Sequence, residues 1–291
     1  MLTTYEKSLI FLVLIMAILA SFFFYNKIKV EKAVLAQEKF EEKSKADLAK
    51  RIETLGLEAK AVSIYDIDAN KELFSKNEHT PLPLASLVKT MTVILAMEKN
   101  SPGQKVKISE EAINQAGDNG LLVNEIWPLD DLARFTLISS SNDGAWALSE
   151  NIENFVQLMN EKAKKIGMAD TVFFNPTGLD ISEAKAGAYG SAFDANQMAV
   201  YAFRARPDIF SITTKMDENF VNSVGHYVRN TDILTEKNSS FLFSKTGNTL
   251  LAGGNITVII VNSEGHKVAI TILGSSFNGR FTDMEKLVNI L

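Results

Sequence analysis

The sequence predicts an α+β domain behind an apolar N-terminal segment, and three observations carry that expectation. β-rich runs stand near residue 60 and again after residue 240, helical patterns fill the interval between them, and residues 8–25 form one uncharged hydrophobic run. Strands from both ends of a chain that share one antiparallel sheet leave the intervening helices as a subdomain of their own. With 291 residues, 46% hydrophobic and 22% charged, the chain has room for a large core.

In chain order, residues 8–25 (SLIFLVLIMAILASFFFY) come first. At ~1.5 Å per helical residue they just cross a hydrocarbon core, and no small-x-small cleavage site follows, so they are expected to be an uncleaved single-pass anchor within a segment 1–25. Lys7 precedes the run, and Lys27, Lys29 and Lys32 follow it. That bias alone places the bulk of the chain on the cytoplasmic side. Residues 26–57 hold 8 basic and 6 acidic side chains, and residues 31–55 lack Gly and Pro, which favours a charged helical spacer. A compact domain is expected over 58–291. It opens with a hairpin of residues 60–66 and 72–75 around Asp68, Ala69 and Asn70. Helices are expected over 109–116, 129–138, 144–165 and 194–205, with another running on from Ser86. Strands 240–245, 255–261 and 267–274 follow, the last two joined by an Asn-Ser-Glu-Gly turn, and a helix over 282–291 closes the chain.

Composition excludes several chemistries. A net charge of −5 lacks the counterion-release drive of a nucleic-acid binder. With no cysteine there is no disulfide, thiol nucleophile or iron–sulfur cluster, and His79, His226 and His266 lack zincin spacing. No metal, no cofactor and no Ser/His/Asp triad is therefore expected.

A serine can still be activated without histidine. Ser86 opens an apolar helical run, and i, i+3 spacing sets Lys89 beside it. A lysine among Leu, Val and Met side chains loses hydration, so its amine becomes neutral and can take the serine proton. Ser-x-x-Lys is a cheap pattern that recurs at Ser182 and Lys185, there in a polar loop expected to be inert. Its company is more telling. Ser140-Ser141-Asn142 follows an apolar helix, and Lys245-Thr246-Gly247, which occurs once, ends a Phe-Leu-Phe strand. The three motifs in this order are those of penicillin-binding proteins and serine β-lactamases. A purely structural reading has Ser140 and Asn142 capping the next helix, Lys245 at an exposed strand end and Arg280 in a surface turn.

Beyond the motifs, residues 58–291 resemble the low-molecular-mass penicillin-binding D-alanyl-D-alanine carboxypeptidases of the peptidase S11 type. The likeness runs through AVSIYDIDANKELFSKNEHTPLPLASLVKTMTV, LISSSNDGAWALSE, FFNPTGLD and KTGNTLLAGGN. It implies the serine β-lactamase/D,D-peptidase fold, with Ser86 as acylated nucleophile, Lys89 as general base and Ser140 as proton relay. Asn142 would hold the substrate amide, and Lys245, Thr246 and Gly247 the terminal carboxylate region. Backbone N–H groups of Ser86 and Asn248 would form the oxyanion hole, and Arg280 would sit near the carboxylate. Ser141 stands where the family has Gly and Asn248 where it often has His, both positions expected to act mainly through backbone. The implied substrate is a peptidoglycan stem peptide, with β-lactams as inhibitors and the catalytic domain outside the bacterial cell membrane. The family's second β-rich domain and amphipathic C-terminal helix are not expected, the N-terminal helix serving as membrane attachment. A D,D-endopeptidase uses the same residues. A β-lactamase and a non-catalytic membrane-anchored scaffold would carry the same fold.

Overall fold

The computed structural model describes residues 3–101, 103–117, 120–222 and 224–291. They divide into two units, Met1–Arg51 and Ile52–Leu291.

The first unit belongs to helix α1 (Thr4–Glu53). A capping box starts it: the Glu6 N–H donates to Thr3 Oγ1, and the Thr3 N–H and hydroxyl donate to Glu6 Oε2. This helix is long and apolar enough to cross a membrane. The charged stretch expected as a spacer continues it without a break to Glu53, and residues 54–57 leave the helix through Gly56 at φ 60°.

The second unit begins with the expected hairpin, β1 (Ala61–Asp66) and β2 (Lys71–Lys76), then a short β3 (Leu82–Pro83) and α2 (Val88–Lys99). The helical middle is more interrupted than the sequence suggests. It holds β4 (Lys105–Lys107), a single-turn α3 (Glu110–Ile113), β5 (Ile126–Pro128), α4 (Leu129–Ser139), α5 (Asn142–Ser149) and α6 (Phe155–Lys165). The helix expected over 144–165 is thus two, because Asn154 takes the left-handed conformation (φ 55°) between them. The helix expected over 109–116 shrinks to α3, capped by the Ser109 hydroxyl. After β6 (Val172–Phe173), β7 (Ala188–Gly190), α7 (Ala192–Ala205) and α8 (Pro207–Phe210) comes a hairpin that the sequence pattern does not predict, β8 (Asp217–Val221) with β9 (Gly225–Arg229). Strands β10 (Phe241–Thr249), β11 (Gly253–Val261) and β12 (Lys267–Ser275) follow as expected, longer by one to three residues, and α9 (Gly279–Val288) closes the chain three residues earlier than its pattern suggests.

One antiparallel sheet joins the two ends of this unit in the order β10-β11-β12-β1-β2. Its register sets Ile64 against Ile270, and Val258 against Ile270. Almost every residue of β11 and β12 is buried, so both faces are covered, and α7 and α9 pack against these strands. Polar groups inside that layer are satisfied: Asn196 of α7 donates to Ser63 and accepts from the Thr271 hydroxyl, which also meets Thr257. The main core, with Trp127, Phe135, Leu87, Met91 and Phe243, lies between the sheet and the helices of the middle. Strand β10 ends the sheet order, and its KTG residues lie along that edge.

A candidate acyl-serine active site

The turn that holds Ser86 is built from a backbone that the sequence alone does not announce. Ser86 lies in a 3-10 turn (Ala85–Leu87) that runs into α2, one turn ahead of the helix proper. Ala85 holds φ at 50°, a conformation that costs an L-residue roughly 1 kcal/mol, and this bend brings β3 into the helix with Ser86 half-buried at the corner. Lys89 follows on the helix with no exposed surface. Its Nζ donates to Ser86 Oγ at 2.7 Å and to the Thr177 carbonyl at 2.7 Å. Burial drives its pKa well below the usual lysine range, the charge of Lys245 adds to the shift, and Asp143 opposes it. An amine whose pKa is depressed in this way, in hydrogen-bond contact with a serine hydroxyl, is suited to accept its proton.

The second motif turns on Ser140, which ends α4 in the left-handed conformation (φ 58°) and so leaves the helix axis. Lys245 of β10 donates to Ser140 Oγ at 2.8 Å and to the Thr246 carbonyl at 3.0 Å. The cap of α5 is Ser141, whose hydroxyl accepts from the Gly144 N–H at 2.9 Å. Neither Ser140 nor Asn142 makes that cap, so the purely structural reading of these two residues fails, and Ser141 contributes a side chain where mainly backbone was expected. Asn142 Nδ2 donates to the Ala116 carbonyl at 2.6 Å.

Lys245 is 2% exposed, so it is no strand-end surface lysine. Burial pulls its pKa to about 7, helped by the Arg280 guanidinium and opposed by Asp232. Thr246 Oγ1 lies 2.6 Å from Thr231 Oγ1. At Gly247 the strand meets the nucleophile turn: a Cβ there would stand 2.8 Å from the Leu84 carbonyl oxygen and 3.1 Å from the Ser86 nitrogen. Only glycine lets the backbones come this close. The next residue, Asn248, is exposed at the cleft edge. Arg280 is also buried, which removes the surface-turn reading; its guanidinium lies over Phe277 at 4.4 Å and Phe281 at 4.5 Å, and Nε and Nη1 have no hydrogen-bond partner among the described residues.

All three motifs therefore converge: Lys89 meets Ser86, Lys245 meets Ser140, and Gly247 brings β10 against the Ser86 turn. The second Ser-x-x-Lys does not join them. Ser182 and Lys185 sit in an exposed bridge of their own.

Sequence reasoning named the FFNPTGLD loop but gave it no part in the lysine environment, which it completes. Asn175 Oδ1 accepts from the N–H groups of Thr177 and Gly178 and from the Thr177 hydroxyl, and its Nδ2 donates to the Leu179 carbonyl. This wraps the loop so that the Thr177 carbonyl points at Lys89 and the Pro176 carbonyl accepts from Thr92. The Asn-Pro-Thr-Gly string was the signal. What it presents to the site is backbone, which no side-chain pattern displays.

Comparison with known proteins finds relatives across most of the second unit. Residues 48–276 match the family Peptidase S11, D-alanyl-D-alanine carboxypeptidase. The chain is 37% identical over 160 residues to the D-alanyl-D-alanine carboxypeptidase DacF of Bacillus subtilis, covering 52% of this chain and 40% of that protein. It is 27% identical over 231 residues to the D-alanyl-D-alanine endopeptidase of Escherichia coli, covering 75% and 71%. Penicillin-Binding Protein D2 from Listeria monocytogenes, solved in its ampicillin-bound form, superposes with a TM-score of 0.68 at 26% identity, covering 80% of this chain and 97% of that one. The chain spans 40%, 62% and 54% of the lengths of the first three carboxypeptidases it matches. On the extent of the family match, the chain belongs to the peptidase S11 family, the D-alanyl-D-alanine carboxypeptidases.

Proposed function

We propose that the chain is a serine-type D-alanyl-D-alanine carboxypeptidase that trims peptidoglycan stem peptides and is acylated by penicillin. The observation that carries this reading is the fully buried Lys89 with its Nζ 2.7 Å from Ser86 Oγ. Lys89 takes the Ser86 proton, and Oγ attacks the carbonyl of the penultimate D-alanine. The N–H groups of Ser86 and Asn248 hold the oxyanion. The proton that Lys89 took is relayed by way of Ser140 to the departing amine of the terminal D-alanine, which leaves Lys89 neutral again and Lys245 still protonated. Water, deprotonated by Lys89, then hydrolyses the Ser86 ester and returns the proton to Oγ. Asn142 holds a substrate amide, while Lys245, Thr246, Gly247 and Arg280 receive the terminal carboxylate, and the peptide lies along the β10 edge. Helix α1 anchors the protein in the bacterial cell membrane as a single span with the catalytic unit outside; the extracytoplasmic substrate favours this orientation against the lysine bias.

Release of D-alanine from a free pentapeptide stem tests the reading, and no release would refute it. The endopeptidase reading has one observation in its favour. The chain spans 71% of the Escherichia coli endopeptidase but 40% of the Bacillus carboxypeptidase. Faster cleavage of cross-linked muropeptide dimers than of the pentapeptide would establish it.

Arg280→Ala is expected to lower kcat/KM for stems that end in a free carboxylate by roughly 10- to 100-fold, and for C-terminally amidated analogues much less. Hydrogen bonds to charged groups contribute about 1.5–3 kcal/mol, and among the described residues Nε and Nη1 have no partner within the protein. An equal loss on both substrates would assign Arg280 a packing role between Phe277 and Phe281.

A further inference from the structure

Two buried cations stand in this site without a direct ion pair. Among the described residues Lys245 donates to neutral oxygens, those of Ser140 and Thr246, and Arg280 packs between two aromatic rings with Nε and Nη1 unpartnered. Like charges so placed disfavour each other. One buried carboxylate acts on both. Asp232 is 1% exposed, and its oxygens are taken by the Ser244 hydroxyl and the Leu234 N–H. Its segment also grips β10 on both sides of Lys245, since Ser244 donates to Asp232 and Thr246 meets the adjacent Thr231.

We propose that Asp232, fixed by Ser244, is a positioning residue: the shared counter-charge that keeps Lys245 and Arg280 cationic together in the carboxylate pocket. The proposal rests on reading those two cations as the carboxylate-binding pair. Asp232 touches neither and acts across the gap. Its attraction raises Lys245 and Arg280, against the lowering by burial and, at Lys245, by Arg280. Burial lifts Asp232 itself, and the hydrogen bonds from Ser244 and Leu234, ahead of the charges of Arg280 and Lys245, hold it down toward the ionised form. Among the described residues the other titratable group that interacts with Lys245 is Lys89 of α2, which Asp143 of α5 also affects. The paired strand and the turn behind β10 offer the uncharged Thr257 and Thr213 there.

Asp232→Asn tests this, because an amide can still accept from Leu234 and reach Ser244 while losing the charge. In the full chain in detergent micelles, with 13C-labelled lysine and Lys245 assigned through Lys245→Arg, the Lys245 titration midpoint is expected to fall by roughly one pH unit in Asp232→Asn. In Ser244→Ala it is expected to fall less, since the carboxylate remains but is more easily protonated. The alkaline limb of Ser86 acylation by benzylpenicillin should move down with it, because Lys245 must keep its proton to hold the carboxylate. A Lys245 midpoint that stays put in both variants, whatever happens to melting temperature or rate, would overturn the proposal. If wild-type Ser86 is not acylated, the functional reading fails, while the lysine titration still decides the role of Asp232.

Discussion

Lys89→Ala is expected to abolish acylation of Ser86, with a fall of at least about 1,000-fold in the second-order rate with benzylpenicillin. The Ser86 hydroxyl would keep its place in the 3-10 turn but lose its proton acceptor at 2.7 Å. The three histidines are committed elsewhere: His79 to Asp170, His226 to Glu125 and His266 to Asp66. No second base stands by among the described residues that contact Ser86. The variant also leaves the Thr177 carbonyl without its donor inside the protein, a cost of about 1–3 kcal/mol. Lys89→Met, which fills the same volume, separates the two effects: its melting temperature should recover part of the loss while acylation stays absent. Acylation of either variant within tenfold of wild type would remove Lys89 from the proton path.

Gly178→Ala is expected to have the second largest effect, although Gly178 bears no side chain. Its φ of +80° is strained for alanine, and the added Cβ would stand 2.0 Å from the Ala85 carbonyl oxygen and 2.5 Å from its carbon. Both neighbours are backbone of the nucleophile turn, so relief requires the loop or the turn to move. The strain costs roughly 1–2 kcal/mol and the overpacking a further ~1–3 kcal/mol. Because the displaced loop carries the Thr177 carbonyl that holds Lys89, acylation should slow by at least about tenfold as well. Gly167→Ala is the matched control, with φ +85° and nothing within 4 Å of the new Cβ. It should lose stability from strain alone and acylate normally. Equal behaviour of the two variants in urea unfolding and in acylation would mean that the loop does not brace the nucleophile.

The legible parts of this protein were those written in side chains over short distances. Ser86 and Lys89 lie one helical turn apart, the KTG residues follow an apolar strand, and the opening hairpin has its turn residues in sequence. Strands β11 and β12 announce themselves by their Ile- and Val-rich runs, and nearly every residue of both is buried. Elements β3, β6 and β7 are two or three residues long, below any periodicity. The hairpin of β8 and β9 alternates weakly, with Val221 and Tyr227 exposed and His226 buried against Glu125 and Trp127. The break before α6 depends on one left-handed Asn154, a residue type that permits the conformation without demanding it.

The site divides in the same way. Ser86, Lys89, Ser140 and Lys245 were readable as motifs, and the structure brings them together through hydrogen bonds and shared burial. Thr177 was not readable, because its contribution is a carbonyl that every residue owns. Nor was Asp232, twelve residues before Ser244, since only the folded edge of β10 sets the carboxylate beside that hydroxyl. Arg280 was placed near the carboxylate by resemblance, and the structure adds the aromatic pair that orients its guanidinium.

The most direct test of the acyl-serine site is intact-mass spectrometry of the full chain in detergent after incubation with benzylpenicillin, beside Ser86→Ala. One persistent penicilloyl group, mapped to Ser86 by peptide digestion and absent from Ser86→Ala, is the predicted result. An unmodified chain with the penicillin left intact would contradict the account, because the buried Lys89 in contact with the Ser86 hydroxyl would then be without chemistry.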